Sequence, residues 1–249
     1  MRALSNSPLP LLALRGGSLG GGGHALLSAV LASTPASMPA ATPSAASTLA
    51  SLLGYVIAAG SLLVYSPMLL QIWRSRSGEG LSFTSWAMSV FGFGGALVYQ
   101  AAQGYPLSTY GELIALTAQS LAILSLMLVF DRGVRPSQVM AGLAVLGAAV
   151  AALVTSVPKG ALKLLQAISG AILTLAIVPQ VWENFATKTC GWSQFSALLS
   201  TGGNAIRVFT TLQLTKDWLV LCGFLGGLSL NVMLLVQTAI YPNPTSDTA

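Results

Sequence analysis

Long stretches without a charged residue restrict this chain more than any other feature of its sequence. The intervals free of Asp, Glu, Lys and Arg are 80–111, 113–130, 136–158, 164–182, 189–206 and 218–246, with a further one before Trp73. About 20 apolar residues in a helix cross a hydrocarbon core of roughly 30 Å. Only 7% of the 249 residues are charged, whereas soluble domains have roughly 25%. These properties exclude a water-soluble fold and a disordered chain, and we predict an integral membrane protein.

The apolar intervals predict helices rather than strands. Backbone polar groups inside a bilayer must bond to one another, which leaves α-helices and closed β-barrels. Leu121–Phe130 and Ala141–Val154 are almost continuously apolar and lack the alternation of a barrel strand. We therefore predict an all-α membrane protein. Its seven transmembrane helices are expected at 49–73, 83–102, 110–130, 137–157, 161–183, 193–213 and 218–240.

Residues 1–48 differ in kind from the rest. They contain Arg2, Arg15 and His24 but no acidic residue, and they are rich in Ser, Ala, Gly and Pro. This composition is typical of an organellar transit peptide, and the alternative is a disordered leader without a targeting signal. A secretory signal fits less well, because the apolar stretch Leu9–Leu14 is broken by Pro10 and closed by Arg15. We place this leader, and the tail 241–249, outside the fold.

The short loops fall into two sets with different numbers of basic residues. Loops after the first, third and fifth spans, called the odd loops below, have five: Arg74, Arg76, Arg132, Arg135 and Lys188. The even loops have three: Lys159, Lys163 and Lys216. Lys and Arg favour cytosolic loops. The excess is small, and it favours the odd loops and the C-terminus on the cytosolic side.

Two parts of the chain repeat one order of features. Pro67 and Pro179 lie near the ends of their spans, 112 positions apart, and a basic loop with Gly-x-Ser follows each. The next span then contains a glycine pair, Gly94-Gly95 in the first copy and Gly202-Gly203 in the second. We predict two three-helix units, 49–130 and 161–240, joined by a linking helix at 137–157. A single linking helix makes the units parallel, as in some transporters.

These residues resemble the PQ-loop repeat membrane proteins, and within them the mannose-P-dolichol utilization defect 1 group. The residues that carry the resemblance are Ser77–Ser82 after Pro67, Pro179-Gln180 followed by Gly191-Trp192-Ser193, and the signature Gly202–Gln213 with Thr215 and Asp217. The chain departs from the pattern at Met68, which replaces the first Pro-Gln glutamine, and at Trp192. The resemblance implies the seven-helix fold of the small sugar transporters called SWEETs. It also implies a role in the use of dolichol-phosphate-linked mannose and glucose in the endoplasmic reticulum.

The paired prolines are candidate hinges. Proline inside a helix removes a backbone hydrogen bond and kinks or breaks the helix. The alternative is a proline that only ends its span. Gln180 is a candidate for bonding a freed carbonyl or a ligand, and Gln71, one turn beyond Met68, is a candidate for partial compensation in the first copy.

Arg207 is the most informative single residue. It lies among apolar neighbours in the sixth span, where an arginine costs about 2.5–3.5 kcal/mol on insertion scales and faces a partner or water. The alternative is a side chain that reaches the membrane surface. Glu112, near the start of the third span, is the candidate counter-charge, and its alternative is a glutamate at the level of the lipid headgroups.

Uncharged polar residues inside the spans are further candidates. Asn204 shares a helix face with Arg207, and Asn231 lies in the last span; we keep both as ligand candidates. For the remaining glutamines we expect bonds between helices, which average about 0.6 kcal/mol. They are Gln100, Gln119, Gln166 and Gln237.

The sequence has no enzyme signature. It lacks a carboxylate pair, a Walker loop and metal-ligand spacing, and Cys190 and Cys222 are expected to be free thiols. We predict no cofactor, no metal and no nucleic-acid partner. The hypothesis is a membrane protein that binds a dolichol-linked sugar or a small hydroxylated solute between its two repeats. A second copy of the chain, in a homo-oligomer, is a further candidate partner. The alternatives are a receptor or chaperone scaffold, and a solute transporter of a plastid or mitochondrion.

Overall fold

The computed structural model describes residues 44–190 and 193–241, so most of the predicted leader, Gly191, Trp192 and most of the tail lie outside the described residues. Every regular element in this part of the chain is helical, as predicted, and no strand occurs there. The helices are α1 (Ala45–Ser61), α2 (Ser66–Ser75), α3 (Phe83–Ala102), α4 (Leu107–Phe130), α5 (Pro136–Ser156), α6 (Lys159–Leu175), α7 (Val178–Thr187), α8 (Gln194–Thr210) and α9 (Trp218–Ile240). A π-helical turn, Thr211–Thr215, extends α8.

Within residues 44–190 and 193–241, four helical stretches are long and apolar enough to cross a bilayer. They are Ala45–Ser75, Leu107–Phe130, Lys159–Thr187 and Trp218–Ile240, and α5 contains a shorter apolar helix, Pro136–Ala152. Their exposed surface is rich in large apolar side chains, such as Leu63, Val145 and Trp182, each more than two-thirds exposed. An apolar exterior is stable in lipid and not in water. The chain is an integral membrane protein.

The two prolines divide the spans that contain them. The first predicted span is two helices, α1 and α2, and the fifth is α6 and α7. Pro67 and Pro179 each lie in the first turn of the second helix of the pair. Proline fits there because the first-turn N–H groups have no partner inside the helix. Both prolines therefore start a helical segment within a span rather than end the span.

The local structure repeats as the sequence does. α2 and α7 each have ten residues, and each is followed by a basic residue in the left-handed region, Arg76 with φ 54° and Lys188 with φ 55°. Few residues other than glycine adopt this conformation. The helix that follows begins in both copies at a serine, Ser82 or Ser193, whose side chain accepts the N–H three residues further on.

The helices pack as two groups. In the first group, α4 packs between α1 and α3; in the second, α9 packs between α6 and α8. Across the groups, α3 packs on α6 and α1 packs on α8, while α5 packs on α3 and α4. The approach of α1 to α4 requires Gly54, because a Cβ there would collide with the carbonyl oxygen of Ser108. The interface between the groups is where the predicted ligand site falls.

Candidate functional site

Arg207 and Glu112 form a buried ion pair between the two helix groups. Arg207 lies in the last turn of α8 and Glu112 in the second turn of α4. Arg207 Nε lies 2.7 Å from Glu112 Oε1, and their side chains are 4% and 14% exposed. A cation is favoured at a helix C-terminus, where the dipole is negative. The predicted counter-charge is therefore the residue that Arg207 contacts.

The arginine also contacts the backbone of α4. Its Nη1 donates to the carbonyl oxygens of Thr109 at 3.0 Å and Ser108 at 3.4 Å, while Nη2 is buried with no hydrogen-bond partner in the described part of the chain. Breaking a buried pair leaves an uncompensated charge and costs about 3–5 kcal/mol. Arg207 consequently links α8 to α4 and holds the Glu112 carboxylate in place.

A cavity of about 260 Å³ lies beside this pair, between the two helix groups. Its wall is mostly apolar and comes from α3, α4, α6, α8 and α9, with Ile177 at the α6–α7 break. The polar side chains in the wall are Gln100, Glu112, Gln166, Thr174 and Asn204. Apolar pockets with a few convergent polar groups are typical ligand sites. We call this space the central cavity.

The amides of the central cavity come from both helix groups. Gln100 of α3 is 2% exposed, and Gln166 of α6 is 5% exposed with its Oε1 unpartnered in the described residues. Asn204 of α8 donates through Nδ2 to the Ser200 carbonyl. Its Oδ1 lies close to Gly227 of α9, where a Cβ would stand 2.8 Å from that oxygen. Unpartnered buried amides are costly, so a hydroxyl-bearing ligand would stabilise this wall.

The structure brings together only part of the predicted set of residues. Glu112 and Asn204 line the central cavity, whereas Arg207 lies behind Glu112, outside its wall. Asn231 bonds to the Gly227 carbonyl of its own helix. Pro67, Gln71 and Pro179 are exposed and do not line the cavity. Their roles as hinge or ligand residues stay predictions.

Two residues of the cavity wall, Gln100 and Gln166, were expected to bond between helices. In the structure they lie on the helix faces that meet across the interface of α3 and α6. The signal in the sequence was the presence of polar residues in apolar spans. That signal cannot distinguish a cavity wall from a helix contact, because both require an inward-facing amide.

Gln119 and Gln237 do link helices, which confirms the expectation for these two. Gln119 Nε2 of α4 donates to the carbonyls of Ser61 and Leu62, at 3.0 Å each, in the break before α2. Gln237 Nε2 of α9 donates to the Val181 carbonyl of α7 at 3.0 Å. The carbonyls freed at the first break are thus bonded by Gln119, the role considered for Gln71.

Gln180 belongs to a separate polar cluster in the second group. Its Nε2 donates to Asn184 Oδ1 at 2.8 Å, and Asn184 Nδ2 in turn donates to Gln237 Oε1 at 3.0 Å and to Cys190 Sγ at 3.4 Å. Ile72 occupies the position 112 residues before Asn184 and lies in an apolar core instead. The two halves therefore differ in chemistry at equivalent places.

An aspartate links the helix groups at the even loops. Asp217 Oδ2 accepts hydrogen bonds from the hydroxyls of Tyr99 and Tyr105, at 2.6 Å each, and Oδ1 accepts the N–H groups of Leu219 and Val220. Burial raises the pKa of Asp217, but the bonds from the two tyrosines and the two N–H groups outweigh it and hold the pKa below the ordinary value. Burial, followed by the bond to Asp217, raises the pKa of Tyr105 to about 12.

Together, the broken helices, the two helix groups and the cavity between them define an all-helical membrane protein with a central cavity. Residues 161–220, from α6 to the start of α9, match the family model described as the PQ loop repeat. The chain is also similar to the human protein named solute carrier family 66 member 3, with 30% identity over 175 residues, 70% of this chain and 85% of the relative. The chain belongs to the PQ-loop repeat family.

Proposed function

We propose that the protein is a non-enzymatic transporter in which two parallel three-helix repeats, joined by α5, bind a solute between them. The observation that carries the proposal is the central cavity, to which both helix groups contribute amides. In the two proposed repeats, α1 corresponds to α6 and α3 corresponds to α8. The contact of α3 with α6 therefore has its counterpart in the contact of α8 with α1. This reciprocity supports the 3+1+3 arrangement, and the name of the human relative supports transport.

The solute is small and hydroxylated. A volume of about 260 Å³ equals about nine water molecules at their share of liquid volume. The wall offers amide donors and acceptors from Gln100, Gln166 and Asn204 and one carboxylate, Glu112. Neutral amides and a carboxylate suit the hydroxyls of a sugar-like molecule, which both donate and accept.

Exposure of the central cavity to one side of the membrane and then to the other would require changes at two places, the Asp217 cluster and the helix break before Pro179. The Asp217 cluster holds the groups together at the even loops, through bonds from Tyr99 and Tyr105. The break before Pro179 borders the cavity through Ile177, so a bend there would change the shape of the cavity wall. Access from the even side requires release of the tyrosines from Asp217.

We propose further that this activity supports the use of dolichol-phosphate-linked mannose and glucose in the endoplasmic reticulum. The signature Gly202–Gln213 supports it. The alternative locations are a plastid or mitochondrial membrane, supported by the acid-free leader. Imaging of the full-length protein and of a form lacking residues 1–48 distinguishes these locations.

Flux into liposomes tests the transport proposal. The full-length protein is reconstituted, and uptake of labelled monosaccharide is compared with uptake by empty vesicles. Gln166→Leu should lower flux about fivefold, the effect of one lost hydrogen bond of about 1 kcal/mol. Gln194→Leu is the matched control, because Gln194 is exposed at the start of α8 and lies outside the cavity. Equal flux by wild type and empty vesicles would contradict transport and favour the scaffold alternative.

A further inference from the structure

A second cavity, of about 600 Å³, lies on a different face of α3. It is formed where α5 packs loosely over α3 and α4, and we call it the linker groove. Its wall includes Gly94 and Gly95 of α3, Leu121 of α4 and Gly147 of α5, and Thr117 is its one polar lining residue among those described. A groove this apolar in a membrane protein faces hydrocarbon rather than water.

The length of the linker groove matches one leaflet of a bilayer. Along α3 the wall runs from Ala87 to Val98, which at 1.5 Å per residue is roughly 16 Å. Half of a hydrocarbon core of roughly 30 Å is about 15 Å. One extended lipid chain from one leaflet therefore has the length to fill the groove.

The two ends of the linker groove differ. At the even end, Val98, Val150 and Leu165 belong to the wall and also pack in a core cluster with Leu162 and Val220, so this end is closed. At the odd end, the loop 131–135 joins α4 to α5, the two helices that flank the groove. A lipid chain consequently enters from the side of the odd loops.

Two basic residues, Arg132 and Arg135, lie in the loop that joins the flanking helices at this end. The guanidinium of Arg132 lies 3.9 Å from the ring centroid of Phe83, and Phe83 is one helical turn before Ala87 on the same helix face. Arg135 is exposed in the same loop. The nearby carboxylate, Asp131, accepts the Gly78 N–H at 2.8 Å. Cations at membrane interfaces attract anionic headgroups.

We propose that the linker groove binds one acyl chain of an anionic phospholipid, with the lipid phosphate at Arg132 and Arg135. The site is independent of the central cavity, because the two spaces share no lining residue. The chain fills the space beside Gly147, where a Cβ would have no atom within 4 Å. The open entrance selects for negative charge through the two arginines.

Native mass spectrometry of the full-length, delipidated protein tests this proposal. Phosphatidylglycerol and phosphatidylcholine with identical acyl chains are added at equal concentrations. The wild type should bind one phosphatidylglycerol in preference, and Gly147→Leu should remove that tight site. Gly142→Leu is the matched control on α5, because Gly142 also has open space around its Cα but does not line the groove.

The arginines are tested in the same experiment. Arg132→Gln and Arg135→Gln should each lower the preference for phosphatidylglycerol about fivefold, whereas Arg74→Gln, in the last turn of α2, should leave it unchanged. Equal lipid binding by the Gly147→Leu and Gly142→Leu proteins would overturn the proposal. A dimer that Gly147→Leu converts to a monomer, with lipid binding unaltered, would also overturn it, since a second copy would then cover the groove.

Discussion

The side-chain amide of Gln119 bridges the helix break before Pro67, where its Oε1 accepts the Tyr65 N–H at 2.9 Å. The same amide donates to two carbonyls on the other side of the break. One residue of α4 thus supplies three hydrogen bonds at the break, including the bond of the Tyr65 N–H; the two carbonyls also accept bonds from Val64 and Ser66 of their own span. The residue 112 positions later, Asn231, bonds within its own helix instead. The first break is therefore fixed to its helix group in a way that the second is not.

Gln119→Leu should destabilise the protein. The substitution leaves the Tyr65 N–H without a partner in an apolar setting, at a cost of about 1–3 kcal/mol, whereas the Ser61 and Leu62 carbonyls keep their bonds from the Val64 N–H and the Ser66 hydroxyl. We expect the midpoint of thermal unfolding in detergent to fall by roughly 3–8 °C. Asn231→Leu, also buried, is the control and should cost less, because the Gly227 carbonyl keeps its bond within α9. Equal losses from both substitutions would show that the bridge contributes nothing particular.

Gly54 should tolerate no side chain. A Cβ at this position would meet the Ser108 carbonyl, which is backbone and cannot turn away. Gly54→Ala should therefore separate α1 from α4 and destabilise the fold by about 1–3 kcal/mol, as overpacking does. Gly60→Ala, on the same helix with open space around it, should be neutral or stabilising by up to about 1 kcal/mol. Chemical unfolding of the two variants measures the difference, and a neutral Gly54→Ala would contradict this packing.

The sequence predicts most of the helices and the partner of Arg207, but not the wall of the central cavity. Uncharged runs determine which residues enter a helix, and a buried arginine requires a counter-charge, for which Glu112 was the natural candidate. The faces of Gln100 and Gln166 depend on how α3 and α6 are rotated about their axes. That rotation is set by contacts between helices distant in sequence, so the pattern of one helix does not determine it.

The contacts at the helix breaks also depend on packing between helices, which the pattern of one helix does not determine. Proline predicts an interruption at residues 67 and 179, because it removes an N–H wherever it occurs. The residue that bonds the freed groups comes from another helix, Gln119, 52 positions after Pro67. Gln71, which is nearer in sequence, is exposed. Helical spacing identifies neighbours within a helix, whereas the packing of α4 against α1 decides which amide reaches the break.

Stability should fall at both extremes of pH through the cluster around Asp217. The pKa of Asp217 is lowered in the fold, so its contribution is present above the ordinary value of 3.8 and is lost as pH falls through the lower folded value. The pKa of Tyr105 is raised from 10.0 to about 12, so its contribution is present below pH 10 and is lost as pH rises towards 12.

Unfolding midpoints measured across pH check this dependence. Tyr105→Phe should reduce the loss between pH 10 and 12 and also weaken the acid-side dependence, because it removes one of the bonds that lower the pKa of Asp217. Asp217→Asn should flatten the acid side, since an amide does not titrate. Tyr55→Phe, on an exposed face of α1, serves as the control. An alkaline loss of stability that survives when Tyr99 and Tyr105 are both replaced by Phe would assign it to groups outside the cluster.

The ion pair of Arg207 and Glu112 should give a strongly non-additive double-mutant cycle. Arg207→Met leaves the Glu112 carboxylate at the cavity wall without its cation, and Glu112→Leu leaves a guanidinium buried on α8. Each single change should cost about 3–5 kcal/mol, while the double variant should cost less than the two losses combined, because it buries no unpaired charge. Additive losses in thermal unfolding would contradict a direct interaction. Because Glu112 lines the cavity and Arg207 does not, solute flux separates their roles: the double variant should regain stability without regaining transport.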